Sequence, residues 1–132
     1  MIKFDESKCT GCQACQMACM DQRDIRPEQG EKPLRYVILR EDPFAYISVG
    51  CTHCGECMEA CPAGAITRKD DGIVLVDEDS CIGCGICKEV CPNGVITLQN
   101  GHCIKCDGCR ERVKAGLLPA CVHTCPTGAL SI

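Results

Sequence analysis

The stretch CTHCGECMEACPAGAI, Cys51 to Ile66, places four sulfurs in sixteen positions, and CIGCGICKEVCPNGVI, Cys81 to Ile96, repeats the same intervals. A shift of thirty residues lays Cys51, Cys54, Cys57, Cys61, Pro62, Gly64 and Ile66 on Cys81, Cys84, Cys87, Cys91, Pro92, Gly94 and Ile96. Such a duplication marks one structural unit written twice. Each copy ends in a cysteine, a proline that fixes φ and lacks an N–H, and a glycine that lets the backbone turn closely. Short β-rich runs follow, from Ala65 to Arg68, Ile73 to Asp77 and Val95 to Leu98, with Asp70-Asp71-Gly72 as a turn signal. The expected pattern is strand, cysteine loop, short helix, strand, given twice.

Composition says why the sulfur matters. The chain of 132 residues holds 17 cysteines, about 13% of it, a level at which cysteine rather than ordinary apolar burial organises a fold. It has no Trp, two Tyr and two Phe. A core that thin needs staples, which are disulfides, zinc or iron-sulfur clusters. The start MIKFDESKC has neither an apolar signal region nor a twin arginine, and no apolar run approaches the roughly 18 residues of a membrane span. The expectation is therefore a soluble cytoplasmic protein, whose thiols stay reduced and hold metal. An odd cysteine count also argues against a disulfide framework.

Spacing selects the metal. Cys9, Cys12, Cys15 and Cys19 form a third C-x2-C-x2-C-x3-C run beside those at Cys51 and Cys81. Structural zinc takes pairs of ligands from two separated knuckles. Three cysteines at two-residue gaps instead wrap three corners of a cube, and the fourth, on a departing helix, serves a second cluster, as in two-cluster bacterial ferredoxins. Residues 51 to 98 thus read as one ferredoxin module. The ending recurs in CPTGAL, Cys125 to Leu130, but the cysteines upstream, Cys103, Cys106, Cys109 and Cys121, are spread out by Arg110 to Pro119. Group one lacks the proline, since Met20 follows Cys19. The two irregular groups are natural partners for each other.

On these three runs, the Cys51-Thr52-His53-Cys54 opening and KCDGCRERVKAGLLPACVHTCPTGAL, the chain resembles the four-cluster iron-sulfur subunits of the dimethyl sulfoxide reductase, formate dehydrogenase and hydrogenase type. The resemblance covers nearly the whole chain. It implies four [4Fe-4S] clusters as cofactors. Their ligands would be Cys9, Cys12, Cys15 with Cys125; Cys19 with Cys106, Cys109, Cys121; Cys51, Cys54, Cys57 with Cys91; and Cys61 with Cys81, Cys84, Cys87. Cys103 is left over. The implied fold is α+β, two interleaved bacterial-ferredoxin-like (βαβ)2 modules. The outer module takes residues 1–19 and 103–132, a connector with an expected β-hairpin takes 20–50, and the inner module takes 51–102. The chain is short for the family, and it is similar in size and content to the polyferredoxin subunits of tungsten or molybdenum aldehyde oxidoreductases.

The expected function is an electron relay between a catalytic oxidoreductase subunit and a soluble carrier or second redox subunit. The catalytic partner would be a molybdenum or tungsten pterin enzyme, such as an aldehyde oxidoreductase or formate dehydrogenase, or a hydrogenase; self-association is left open. The alternative is an iron-sulfur redox or oxygen sensor, although no DNA-reading module accompanies the cysteines. No catalytic residue, flavin site or nucleotide loop is visible, so the chain is not expected to be an enzyme itself. Its formal charge of −4 becomes about −12 with four clusters of about −2 each, which excludes a nucleic-acid stripe and favours docking on a basic patch.

Some residues carry two readings. Cys103 is either a spare buried thiol or, with Cys106 and Cys109, an alternative ligand. His53, His102 and His123 adjoin ligand cysteines without being needed as ligands. Arg110, Arg112 and Lys114 form either a solvated helix face or a docking element. Residues 20–50 carry apolar runs at Tyr36 to Leu39 and Tyr46 to Val49 around Asp42-Pro43, a hairpin that either packs the modules together or meets a partner.

Overall fold

Prolines set the lengths of the helices. In the computed structural model, which describes residues 2–132, helices α2 (Glu56–Ala60) and α3 (Ile86–Val90) each run five residues and stop at a cysteine followed by proline. The residue before a proline is driven out of the helical region, and Cys61 (φ −70°, ψ 115°) and Cys91 (φ −65°, ψ 119°) are accordingly extended. A later helix, Ala120–Thr124, ends the same way at Cys125 before Pro126. The first helix, α1 (Ala14–Gln22), has no proline after Cys19 and continues for nine residues.

Around these helices lie four two-stranded antiparallel sheets. β1 (Lys3–Phe4) pairs with β8 (Leu130–Ser131), which brings the first cysteine run beside Cys125. β2 (Arg35–Glu41) and β3 (Phe44–Gly50) form the expected hairpin, longer at both ends than the apolar runs alone. β4 (Ile66–Arg68) pairs with β5 (Val74–Val76) around the Asp70-Asp71-Gly72 turn, as expected to within a residue. β6 (Thr97–Gln99) begins two residues later than expected and pairs with β7 (His102–Ile104), a strand that no sequence pattern announced. α4 (Arg110–Lys114) and α5 (Ala120–Thr124) complete a mixed α+β chain.

α2 packs on α3 and α1 on α5, so two similar helix pairs lie at the two halves of the molecule. Between α2 and α3 the core is Cys57, Ile66, Val74, Cys87, Ile96 and Cys103. Sulfur thus supplies half of it. A second cluster joins Cys15, Cys121 and Leu130, and a third joins Ile25, Leu34 and Ile104.

The 20–50 segment is tied to the Cys81 repeat by polar groups. The Tyr36 hydroxyl donates to the Asn93 carbonyl at 2.7 Å, Asn93 Nδ2 donates to the Gly50 carbonyl at 3.0 Å, and Lys32 N–H donates to Thr97 Oγ1 at 3.0 Å. Gln99 Nε2 donates to the Asp24 carbonyl and to Glu31 Oε1. Of the two aromatics that discriminate the readings of this hairpin, Tyr36 is partly buried and bonded, whereas Phe44 is 68% exposed and rests edge-on against Tyr46. The base of the hairpin packs the halves together, and its tip faces solvent. Among the described residues no helix is long and apolar enough to cross a membrane.

Leu34, 1% exposed beneath the hairpin, and Leu39, 49% exposed on it, form a controlled pair. Leu34→Ala is expected to cost about 2–5 kcal/mol through a cavity, and Leu39→Ala no more than about 0.5 kcal/mol. Anaerobic denaturant midpoints that moved together would contradict this packing.

Candidate functional site

Each regular cysteine run is a loop whose middle thiol is exposed and whose third thiol opens a helix and is buried. Cys54 and Cys84 are exposed, while Cys57 on α2 and Cys87 on α3 are buried. The loops enter their helices through Gly55 (φ 88°) and Gly85 (φ 79°), a left-handed conformation that a side chain would strain. The first run behaves alike, with Cys12 exposed and Cys15 buried on α1, but it enters through Gln13 at φ 65°.

These loops surround three small concavities. One is lined by Cys51, Cys54, Cys57 and Cys91. Another is lined by Cys9, Cys12, Cys15 and Cys125, and a third by Cys61, Cys81, Cys84 and Cys87 together with Cys103. In each, three thiols come from one run and the fourth from elsewhere in the chain. The fourth group is read from its field. The Cys19 thiol is pushed up to about 12, first by burial and then by Cys106, Cys121 and Cys109, which stand around it.

Neighbour relations connect the groups one to the next. Cys57 is raised by burial and by Cys51 and Cys87, so the Cys81 and Cys51 cages adjoin. Cys106, pushed up to about 11 chiefly by burial, also feels Cys51, so the Cys19 group comes next. Cys121, raised by burial, feels Cys109 and Cys15, so the Cys9 cage is last.

The donor set fits a polynuclear iron-sulfur group. Backbone N–H groups point at the sulfurs: His53 to Cys51 (3.3 Å), Ala65 to Cys61 (3.4 Å), Cys103 to Cys81 (3.3 Å) and Gly108 to Cys106 (3.4 Å). At Cys125 burial raises the thiol, yet N–H groups of Leu130, Thr127 and Ala129 and the Thr127 hydroxyl together hold it below its usual value. Such donors suit a thiolate that keeps its negative charge on metal.

Cys103 does not join Cys106 and Cys109 as the alternative pairing would have it. Its Sγ lies 3.1 Å from Cys87 Sγ in the cage of the Cys81 run, and burial pushes its thiol up. His53 is buried, its Nδ1 accepting from Val74 N–H at 3.1 Å with Lys105 Nζ at 3.4 Å; burial and then Lys105 lower its pKa to about 4, which keeps the ring neutral. His102 Nδ1 is buried with no hydrogen-bond partner, and His123 lies on α5. The cationic run is spent locally. Arg110 pairs with Asp71 at 2.9 Å, Arg112 Nε donates to the Leu118 carbonyl at 2.8 Å, and Lys114 reaches Glu111 at 3.8 Å. Sequence reading missed Arg35, Ser48 and Lys105. Arg35 Nη1 donates to Ser48 Oγ at 3.0 Å, and Ser48 Oγ lies 3.4 Å from Cys15 Sγ. Arg35 and Ser48 lie outside the cysteine motifs, and Lys105 opens the KCDGC stretch without being a cysteine ligand.

Two family models, each described as a 4Fe-4S dicluster domain, match residues 43–132 and 8–66. The chain is 41% identical to the B subunit of the anaerobic dimethyl sulfoxide reductase of Escherichia coli, an alignment covering 96% of this chain and 69% of that protein. It is 40% identical to the thiosulfate reductase electron transfer subunit of Salmonella typhi, covering 98% and 73%. Against the nitrate-inducible formate dehydrogenase iron-sulfur subunit of Escherichia coli it is 38% identical, covering 96% and 51%.

Gly83 (φ 70°) turns the loop between Cys81 and Cys84 against Gly101, whose carbonyl a Cβ would strike; Gly64 (φ 62°) has open space around it. Gly83→Ala is expected to lower the iron and acid-labile sulfide of anaerobically purified protein. Gly64→Ala should bring only the left-handed strain, about 1–2 kcal/mol, and leave both intact.

Proposed function

We propose, on the premise that this chain belongs to the 4Fe-4S dicluster family of iron-sulfur electron-transfer subunits, that it is a wire of four clusters in a row. It binds [4Fe-4S] clusters and relays electrons for an oxidoreductase, and its relatives are electron-transfer rather than catalytic subunits. Four is our count, and it rests on one observation. Three concavities are each lined by three cysteines of one run and a fourth from elsewhere in the chain, and a further group of cysteines stands around Cys19.

The assigned ligands are Cys61, Cys81, Cys84 and Cys87 for the first cage; Cys51, Cys54, Cys57 and Cys91 for the second; Cys19, Cys106, Cys109 and Cys121 for the third; and Cys9, Cys12, Cys15 and Cys125 for the fourth. Each bound cluster supplies one reversible electron site. The chain's own residues do the rest. Helices α1 to α3 aim one buried thiol into each of three cages, the cysteine loops limit water, and N–H groups on sulfur offset the charge an added electron brings. The crossed fourth cysteines keep neighbouring cages close, which a tunnelling path requires.

In this reading residues 51–102 form an inner (βαβ)2-like module, residues 1–19 and 103–132 an outer one interleaved with it in sequence, and 20–50 the strap between. The partner is the catalytic subunit of an oxidoreductase, as the names of the dimethyl sulfoxide reductase, thiosulfate reductase and formate dehydrogenase relatives suggest, and the family resemblance makes it a molybdenum or tungsten pterin subunit. A cytoplasmic setting suits the many reduced thiols.

Iron and acid-labile sulfide of about sixteen each per chain are expected on protein purified without oxygen, with spin-coupled EPR signals after reduction. About eight of each would leave only one module loaded and sink the four-cluster wire. Cys103→Ala is expected to keep the full count, while Cys61→Ala in the same cage loses iron.

A further inference from the structure

One cage holds a thiol more than its twin. The concavity of the Cys81 run is lined by Cys61, Cys81, Cys84 and Cys87 and by Cys103 as well, whereas those of the Cys51 and Cys9 runs have four cysteines each. The duplication shows what the extra thiol replaces. In the first repeat Arg68 pairs with Val74; in the second, Leu98, which the thirty-residue shift lays on Arg68, pairs with Cys103. The first turn is one residue longer, so Val74 rather than Ile73 is the counterpart of Cys103. Val74 is fully buried and lines the Cys51 concavity; Cys103 is 2% exposed. A cage therefore closes with valine at this place, and packing does not demand sulfur there.

The extra thiol is aimed at one particular ligand. Cys103 Sγ lies 3.1 Å from Cys87 Sγ, and the Cys103 N–H donates to Cys81 Sγ at 3.3 Å. Its strand is thus anchored on one thiol of the cage through the backbone and touches a second through the side chain. The corners of a cubane hold its four thiolates well apart, so two sulfurs in contact address the same corner.

We propose that Cys103 is an alternative ligand for the iron held by Cys87, which gives the Cys61, Cys81, Cys84, Cys87 cage two interchangeable sulfurs at one corner. The exchange is a substitution without electron transfer. The iron bond to Cys87 breaks, one to Cys103 forms, and the Cys103 proton passes to the Cys87 sulfur across their 3.1 Å contact. Thiolate rather than thiol binds metal, so this proton has to move, and a neighbouring sulfur is there to receive it. The total charge in the cage stays the same, so no unpaired ion is left in a buried site. The cluster keeps four ligands when Cys87 lets go. The inference rests on the reading that this cage holds a cluster.

The test counts iron and acid-labile sulfide on the full chain purified without oxygen, and records EPR after reduction. Wild type near sixteen of each, with Cys61→Ala short by about four, establishes that the cage is loaded. A wild-type count far below that, or a Cys61→Ala count equal to wild type, breaks the four-cluster reading and takes the inference with it. With the cage loaded, Cys87→Ala is expected to stay within about one iron of wild type, with an altered EPR signal, and Cys87→Ala combined with Cys103→Val to fall about four below it. Valine is the residue the twin cage already carries, so this loss reports ligation and not packing. Where Cys87→Ala yields no folded protein, the single variant Cys103→Val decides, because a cage without its second sulfur should surrender iron to a chelator about tenfold faster than wild type. Cys87→Ala as poor in iron as Cys61→Ala, a double variant as rich in iron as Cys87→Ala, or an unchanged rate of loss in the deciding single variant overturns the proposal.

Discussion

Sulfurs from distant parts of the chain have to face one another across a small space, and the rest of the fold follows from that requirement. In each of the three concavities a single run supplies three thiols and a remote segment the other: Cys91 joins the Cys51 run, Cys61 the Cys81 run, and Cys125 the Cys9 run. A run does not close its own cage, because its fourth cysteine lies along, or just beyond, a helix that leads away. Two helices must therefore come into contact, as α2 and α3 do. Ordinary hydrophobic burial would be hard pressed to impose this geometry on so short a chain. The cores it does form are half sulfur in one case and two-thirds sulfur in another.

How much of this was legible depended on whether a feature is local. The end of each short helix coincides with Cys-Pro, since the proline acts on the residue just before it; the first run lacks that proline, and its helix is the one that runs on past its fourth cysteine. The β4–β5 hairpin was marked by its turn residues. β1, β7 and β8, of two or three residues each, show no period long enough to detect, and they form because the closure of the cages brings their partners alongside. β7 in particular carries Cys103, and its pairing with β6 takes that thiol to the cage of the Cys81 run instead of to Cys106 and Cys109. Counting intervals alone could not separate those alternatives, because Cys103, Cys106 and Cys109 are themselves spaced by two residues.

Arg35 and Lys105 were invisible for a stronger reason. A lysine before a cysteine and an arginine opening a β-strand are ordinary surface residues by composition, and burial is what makes them exceptional. That burial depends on contacts between separated segments, such as Lys105 with the Val74 carbonyl and Arg35 with Ser48. Sequence reading treated charge as a total. The fold distributes that charge unevenly, burying Lys105 and Arg35 without an ion pair among the described residues.

Uneven charge matters because an electron in a relay responds to local rather than net potential. The overall negative charge acts on every cage through surrounding water and is screened over about 10 Å at ordinary ionic strength. A buried ammonium or guanidinium beside one cage is not screened in that way, so a few such groups outweigh many surface carboxylates. Exposed ion pairs such as Arg40–Glu6 and Arg26–Asp24 accordingly have little influence on any cage. The cysteine spacing can be read from the sequence, whereas the burial of Lys105 and Arg35 can be read only from the fold.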